Sequence, residues 1–422
     1  MGLLIKQVLI ADPRSAHNGK IEDILVEDGK IAAIGAIPNS SHHQLVHIPH
    51  LCASPGWIDV FAHFCDPGLE HKETLETGAA AAAAGGYTSV MVVPNTQPGL
   101  HSKSQIEYVV QKSVHLPVQI LPIGAISKNV EGKELAEMYD MQASGAVAFS
   151  DGWQALQSSQ LMLKALLYVK AFDGVVIQIP DDWSLAKSGL MHEGIVSTQM
   201  GLPGKPAIAE TIMLARDIEL LRYTQSRLHI TGISTAEGIA LIRKAKAEGL
   251  QITCSVTPYH LYFSDEDLRQ YDTSLKVNPP LRLAGDVAAL RQAVLDGTID
   301  CIASHHQPHE YDSKICEFEY AKYGMAGLES CFAAVKTAVP ELSNNRLAEL
   351  FSLTPAAIFG IETPVMEPGQ PACLSLFLPN TPWVFQLADV QSKCSNNAFI
   401  GHHFSARPVG SVQGNQLILN KI

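Results

Sequence analysis

The chain has 422 residues, 46% hydrophobic and 17% charged, with Gly and Pro spread along its length, which excludes a disordered or low-complexity chain. Lys and Arg number 30 against 42 Asp and Glu, a formal charge of −12 with no basic cluster to neutralise phosphates, which excludes a nucleic-acid footprint. Eight scattered cysteines without a CxxC pair, several inside apolar runs such as DCIAS and QITCSV, read as reduced, buried thiols of a cytoplasmic protein.

At the amino terminus, MGLLIKQVLIADP has Lys6 interrupting a short alternating run and no small-residue cleavage site, so it reads as a strand and not a signal peptide. Lysine at position 6 also removes a myristoylation pattern. No window approaches the roughly 18 consecutive apolar residues of a membrane span. Residues 1–54 break into short strands (LLIKQVLIA, DILVEDGKIAAIG, HQLVHIPH) with turns at Asp12-Pro13 and Asp28-Gly29, the pattern of a small β module.

From Pro55 the pattern changes to apolar runs, each followed by a segment of helical period: GWIDVF, YTSVMVV, VQILPIG, GAVAFS, GVVIQI, RLHITG, QITCSV and TIDCIAS. Helix candidates between them include KETLETGAAAAAAG, SKSQIEYVVQKSV, SQLMLKALLYVKAF, AIAETIMLARDIELLRYTQ, TAEGIALIRKAKAEG and AGDVAALRQAVLDG. Continuous apolar strands alternating with helices predict an α/β fold, a closed (β/α)8 TIM-type barrel over 55–364. Short strands return in ACLSLFLP and NQLILNKI, so 1–54 and 365–422 are expected to join as one small β-sandwich module built from both termini.

Chemistry in such a barrel sits at the carboxy-terminal ends of the strands. The residues expected there are Phe61, His63, Asn95, Asp151, Gln178, Gly232, Thr257, His260 and the run Ser304 to His309. On spacing, His305, His306 and His309 look like a metal site, whereas a lone His63 reads as a hydrogen-bonded barrel histidine and Asp151 as a turn cap. HKETLETG looks like a capped helix start whose charges are solvated.

The motifs PGWIDV, DPGLEHKETLETG, VVPNTQP, GAVAFSDG, GLMHEGIVSTQMGLPG, AETIMLARDIEL, IST, TPYHL, KVNPPLR, IASHHQPHE and MAGLE together resemble the dihydroorotases of the amidohydrolase superfamily, of the type that accompanies aspartate transcarbamoylase. The resemblance implies the barrel, a β module from both termini, a metal centre, and reversible ring closure of carbamoyl aspartate to dihydroorotate. Residue by residue, the implied metal site fails to carry over. The family's strand-one His-x-His stands here as Phe61-Ala62-His63, and the arginine that grips the substrate carboxylate as Cys65. Two further ligand histidines are Gln178 and Gly232, and the aspartate that is both ligand and general base is His305. His63 and Asp151 remain, and Asn95, Asn278 and His309 keep the substrate-contact pattern.

A metal lowers the pKa of bound water from about 15.7 to about 7, so its loss removes roughly eight decades of hydroxide at neutral pH. An imidazole at 305, titrating near 6.5 if unperturbed, would supply as a base only about 10² to 10⁴ in rate. The expectation is therefore a catalytically silent dihydroorotase-like protein with no metal cofactor, acting as a scaffolding partner of aspartate transcarbamoylase in a dodecameric complex, or as a homo-oligomer. Two alternatives stand beside it: a cyclic-amide hydrolase with zinc at a rebuilt mononuclear site of His63, Asp151 and His305, and a non-catalytic binder of a dihydroorotate-like ligand through Asn95, Asn278 and His309.

Overall fold

The computed structural model describes residues 2–186 and 188–421. All eight apolar runs become strands of one parallel sheet: Trp57–Ala62, Tyr87–Val92, Gln119–Gly124, Ala148–Phe149, Val176–Gln178, Leu228–Ile230, Ile252–Val256 and Cys301–Ile302, numbered below as barrel strands one to eight. The ring closes where strand eight ends, because Ala62 pairs in parallel with His306 and the His63 N–H donates to the His306 carbonyl at 2.8 Å. Asp59 locks the seam by accepting from the Ser304 N–H and hydroxyl at 2.6 and 2.7 Å. Burial raises the Asp59 carboxyl to about 6 despite those two hydrogen bonds.

Period-two alternation survives inside these continuous runs. On strand two, Val90 and Val92 join the apolar layer shared with the helices, while Met91 and Val93 join the cluster inside the barrel. Strands six and seven differ. Leu228, Ile230, Ile252, Cys254 and Val256 belong to the outer layer, and the alternate positions His229, Thr231, Thr253 and Ser255 are polar.

The six helix candidates form as Leu75–Ala84, Lys103–Ser113, Ser159–Lys170, Ile208–Thr224, Ala236–Ala247 and Ala284–Leu295. The alanine-rich helix lies tight against the barrel: a Cβ at Gly78 would meet the Phe64 ring, and one at Gly85 the Leu328 carbonyl. A helix absent from the sequence expectation, Cys331–Ala338, follows the long excursion after strand eight. Seven of its eight residues are buried, and a run that short carries too few turns to be told from a buried strand.

Strands from both ends of the chain make a second eight-stranded sheet. Gly2–Ile10 is its branch point, pairing antiparallel with Ile21–Glu27 and parallel with His43–His47 and Cys52–Pro55. Cys373–Leu378 extends the sheet from Cys52–Pro55, followed by Arg407–Gln413 and Gln416–Leu419. The sheet has its own apolar cluster, with Ile5, Ile10 and Val26 from one end of the chain against Leu374, Leu376 and Val412 from the other. Among the described residues no helix is long and apolar enough to cross a membrane, and all eight cysteines are free, six of them buried.

Candidate active site at the barrel mouth

Phe61, at the end of strand one, is fully buried and packs its ring 4.7 Å from the His305 ring and 5.0 Å from Trp153. His305 and Trp153 are themselves 5.1 Å apart, so three aromatic rings close on one another. His305 has a left-handed backbone (φ 48°); its Nε2 is 2.8 Å from the Thr231 hydroxyl, and its Nδ1 is buried without a partner. Burial, reinforced by His260 and His229, holds this imidazole well below its usual value. The expectation of a base titrating near neutrality is thereby corrected: His305 is neutral throughout the physiological range.

Gly232 also has a positive φ (70°), and a Cβ there would lie 2.8 Å from His305 Cε1 and 3.3 Å from Pro279 Cδ. No histidine fits position 232 while His305 keeps its place. Gln178 turns its amide to the backbone after strand four, its Oε1 accepting from the Leu156 N–H at 3.2 Å. One lone pair of that oxygen is thereby taken, and a neutral amide is in any case a poor ligand beside an imidazole. Asp151 accepts from the Ser127 N–H at 2.9 Å and from the Ser127 hydroxyl, tying the loop after strand three to strand four instead of capping its own turn. Burial raises its carboxyl to about 6, with the Ser127 hydrogen bonds pulling the other way.

His63 places Nδ1 3.5 Å from the Cys65 sulfur and leaves Nε2 buried without a partner. Burial first, then His309 and Lys72, lower it to about 3. Cys65 is itself left-handed (φ 59°), and burial pushes its thiol far up. Lys72 reaches His309 Nδ1 at 3.4 Å, while His309 Nε2 donates to the Tyr323 carbonyl at 2.8 Å. His309 sits at about 4, lowered by burial and by Lys72.

The other two substrate-contact candidates are likewise engaged by the protein. Asn95 donates to the Asp151 carbonyl at 3.1 Å and accepts from the Trp153 N–H at 3.1 Å. Asn278 accepts from Lys205 at 2.8 Å and donates to Asp181 at 3.2 Å. Of the remaining strand-end residues, Thr257 caps the helix Pro258–Tyr262 and shares a 2.8 Å contact with His260 Nδ1.

Two arrangements escaped the sequence reading. The first is the buried ion pair of Lys205 and Asp181 at 2.7 Å, which grips Asn278; the motifs GLPG and IPDD stand beside it without announcing it. The second is Glu73. The solvated charges expected in HKETLETG are corrected here, because Glu73 is fully buried and accepts from the hydroxyls of Thr77 and Ser392, the Lys393 N–H at 3.1 Å and His306 Nε2 at 3.4 Å. Burial alone would raise its carboxyl, but the His306 contact and the hydroxyls outweigh that and hold it below its usual value. It joins strand eight, the first helix and the carboxy-terminal segment.

A sequence model of the dihydro-orotase-like family matches residues 52–238. A dihydroorotase of Pelotomaculum thermopropionicum is 42% identical over 424 aligned residues, covering 99% of both chains. One from Acetivibrio thermocellus is 39% identical and covers all of both. The chain belongs to the dihydroorotase family. Its fold is also similar to that of the L-hydantoinase of Arthrobacter aurescens, with a TM-score of 0.84 at 22% identity over 99% of this chain and 96% of that one.

Within the dihydroorotase frame, the residues at the metal positions do not suit a divalent ion. Among the described residues no group of three or more His, Cys, Asp or Glu is placed to hold one. His63, Asp151 and His305 are accordingly not brought together: Asp151 is spent on Ser127, His305 Nε2 on Thr231, and the Phe61 ring covers the strand-one end. Divalent metals need several lone-pair donors converging at about 2.0 to 2.2 Å. An apolar ring, a glycine and an occupied amide do not provide them.

Proposed function

We propose that this dihydroorotase-family chain is catalytically silent, requires no metal cofactor, and serves in the cytoplasm as a structural partner of aspartate transcarbamoylase. The observation that carries the reading is the contact of Phe61 with His305 at 4.7 Å, together with Gly232, whose missing side chain leaves the room that His305 fills. Those two features supply packing where hydrolysis of a cyclic amide requires a water activated on an ion. The barrel frame around them is intact, and intact packing is what an assembly subunit needs.

Engagement of Asn95, Asn278 and His309 by protein groups favours this reading over a ligand-binding one, since a ligand would have to displace those hydrogen bonds. A protein partner also suits the loop after strand eight, where Tyr311, Ile315 and Tyr320 are 72, 62 and 72% exposed. Sedimentation velocity of the chain mixed with the aspartate transcarbamoylase of the same genome tests the partner. A faster boundary containing both proteins is expected, weakened by Tyr311→Glu with Tyr320→Glu. Independent sedimentation at tens of micromolar would contradict the assignment.

A further inference from the structure

The inward positions of strands six and seven carry a continuous set of hydrogen-bonding contacts. His305 Nε2 lies 2.8 Å from Thr231 Oγ1, to which Ser255 Oγ donates at 2.9 Å. Ser255 Oγ lies 3.0 Å from His229 Nε2, and His229 Nδ1 lies 2.8 Å from Thr253 Oγ1. His305, Thr231, Ser255 and His229 are almost wholly buried. Thr253 is half-buried at the amino-terminal start of its strand, where it lines a cavity of about 110 Å³ with Arg227, Leu250 and Gln251. Barrel interiors are ordinarily filled by branched aliphatic side chains. Here the polar line runs from one end of the barrel to the other.

We infer that His305, Thr231, Ser255, His229 and Thr253 form a proton relay that connects the barrel mouth with solvent at the opposite face. Each hydroxyl both donates and accepts, and each neutral imidazole donates through one nitrogen and accepts through the other. Their polarity follows from Ser255 donating to Thr231. The Thr231 proton then points to His305 Nε2, Ser255 accepts from His229 Nε2–H, and His229 Nδ1 accepts from Thr253. His305 carries its own proton on Nδ1, the ring nitrogen with no partner in the protein.

Transfer balances atom by atom. When the His305 Nδ1–H bond breaks toward an acceptor in the mouth, Thr231 passes its hydroxyl proton to Nε2, Ser255 reprotonates Thr231, and His229 Nε2–H reprotonates Ser255. Thr253 then protonates His229 Nδ1 and takes one proton from a hydronium ion in the lower cavity, which is left as water, while the acceptor in the mouth is a water that becomes hydronium. One proton enters, one leaves, and no residue changes charge. The two imidazoles therefore exchange tautomers together. Burial keeps both neutral, His229 at about 3 and His305 well below its usual value. The relay stands whether or not the protein is catalytic, because it concerns proton access to a buried ring and not turnover.

Histidine-selective ¹⁵N NMR of the full chain tests it, with Thr253→Val and Ser255→Ala as the variants. Thr253→Val is nearly isosteric and lies at the far end of the barrel, so it reads the relay even where Ser255→Ala disturbs packing. Both are expected to slow solvent exchange at His305 by roughly an order of magnitude or more and to shift its tautomer balance. Exchange at the Trp153 indole N–H, which lies beside His305, should stay unchanged. An unaltered His305 exchange rate and tautomer in Thr253→Val, with His305 and Trp153 exchanging in step, would overturn the relay and place proton entry at the mouth.

Discussion

Replacing Glu73 with alanine is expected to cost about 3–5 kcal/mol of folding free energy, the range for removing one partner of a buried charge network. The loss takes the acceptor away from the hydroxyls of Thr77 and Ser392, the Lys393 N–H and His306 Nε2, of which the imidazole, like Glu73 itself, has no exposure to water. It also unties the carboxy-terminal segment from strand eight, so the unfolding transition should lose cooperativity. Glu73→Gln keeps an acceptor and should cost less. The sign of the pH dependence follows from the lowered carboxyl. Its stabilisation is complete above the unfolded value of about 4.3 and is lost as pH falls through the lower folded value. The gap between wild type and Glu73→Ala in urea unfolding should therefore be largest at neutral pH and shrink in acid. A gap under about 1 kcal/mol at pH 7, the size of one ordinary hydrogen bond, would refute the network's importance.

Restoring histidine at position 232 alone is expected to damage the protein and leave it without a metal. A left-handed non-glycine backbone costs about 1–3 kcal/mol, and overpacking against a ring typically another 1–3. The Cβ alone would stand 2.8 Å from His305 Cε1. Adding His305→Asp removes the obstructing ring, so the double variant should be more stable than the sum of the single costs by at least about 1 kcal/mol. This coupling means that the altered positions hold one another in place: His305 fills the space that glycine leaves, and Phe61 packs on His305. Additive costs in a double-mutant cycle would show that the substitutions are independent.

The barrel was legible because its strands are covered on both faces and read as uninterrupted apolar runs, such as YTSVMVV and GVVIQI, each followed by a helical period. Every one of those runs forms a strand. The helix Cys331–Ala338 was not legible because its eight residues are too few for a helical period to stand out from a short apolar run. At the mouth, the identities at positions 61, 65, 178, 232 and 305 could be read directly. What each side chain does could not be read, since it depends on partners far away in the chain: Asp151 turns to Ser127, Gln178 to Leu156, and Glu73 to Ser392 across more than three hundred residues. The relay did leave a local mark. In LHIT and ITCSV the polar residues fall at every second position, and in a barrel strand those positions face inward.

The proposal made above is that this dihydroorotase-family chain retains the frame without the chemistry. Its most direct test is to purify the chain without chelators, equilibrate it with zinc, and measure bound metal and ring closure of carbamoyl aspartate on the same sample. Zinc well below one ion per chain, with conversion no faster than in buffer, is the expected result. One tightly held zinc per chain accompanied by turnover would contradict it.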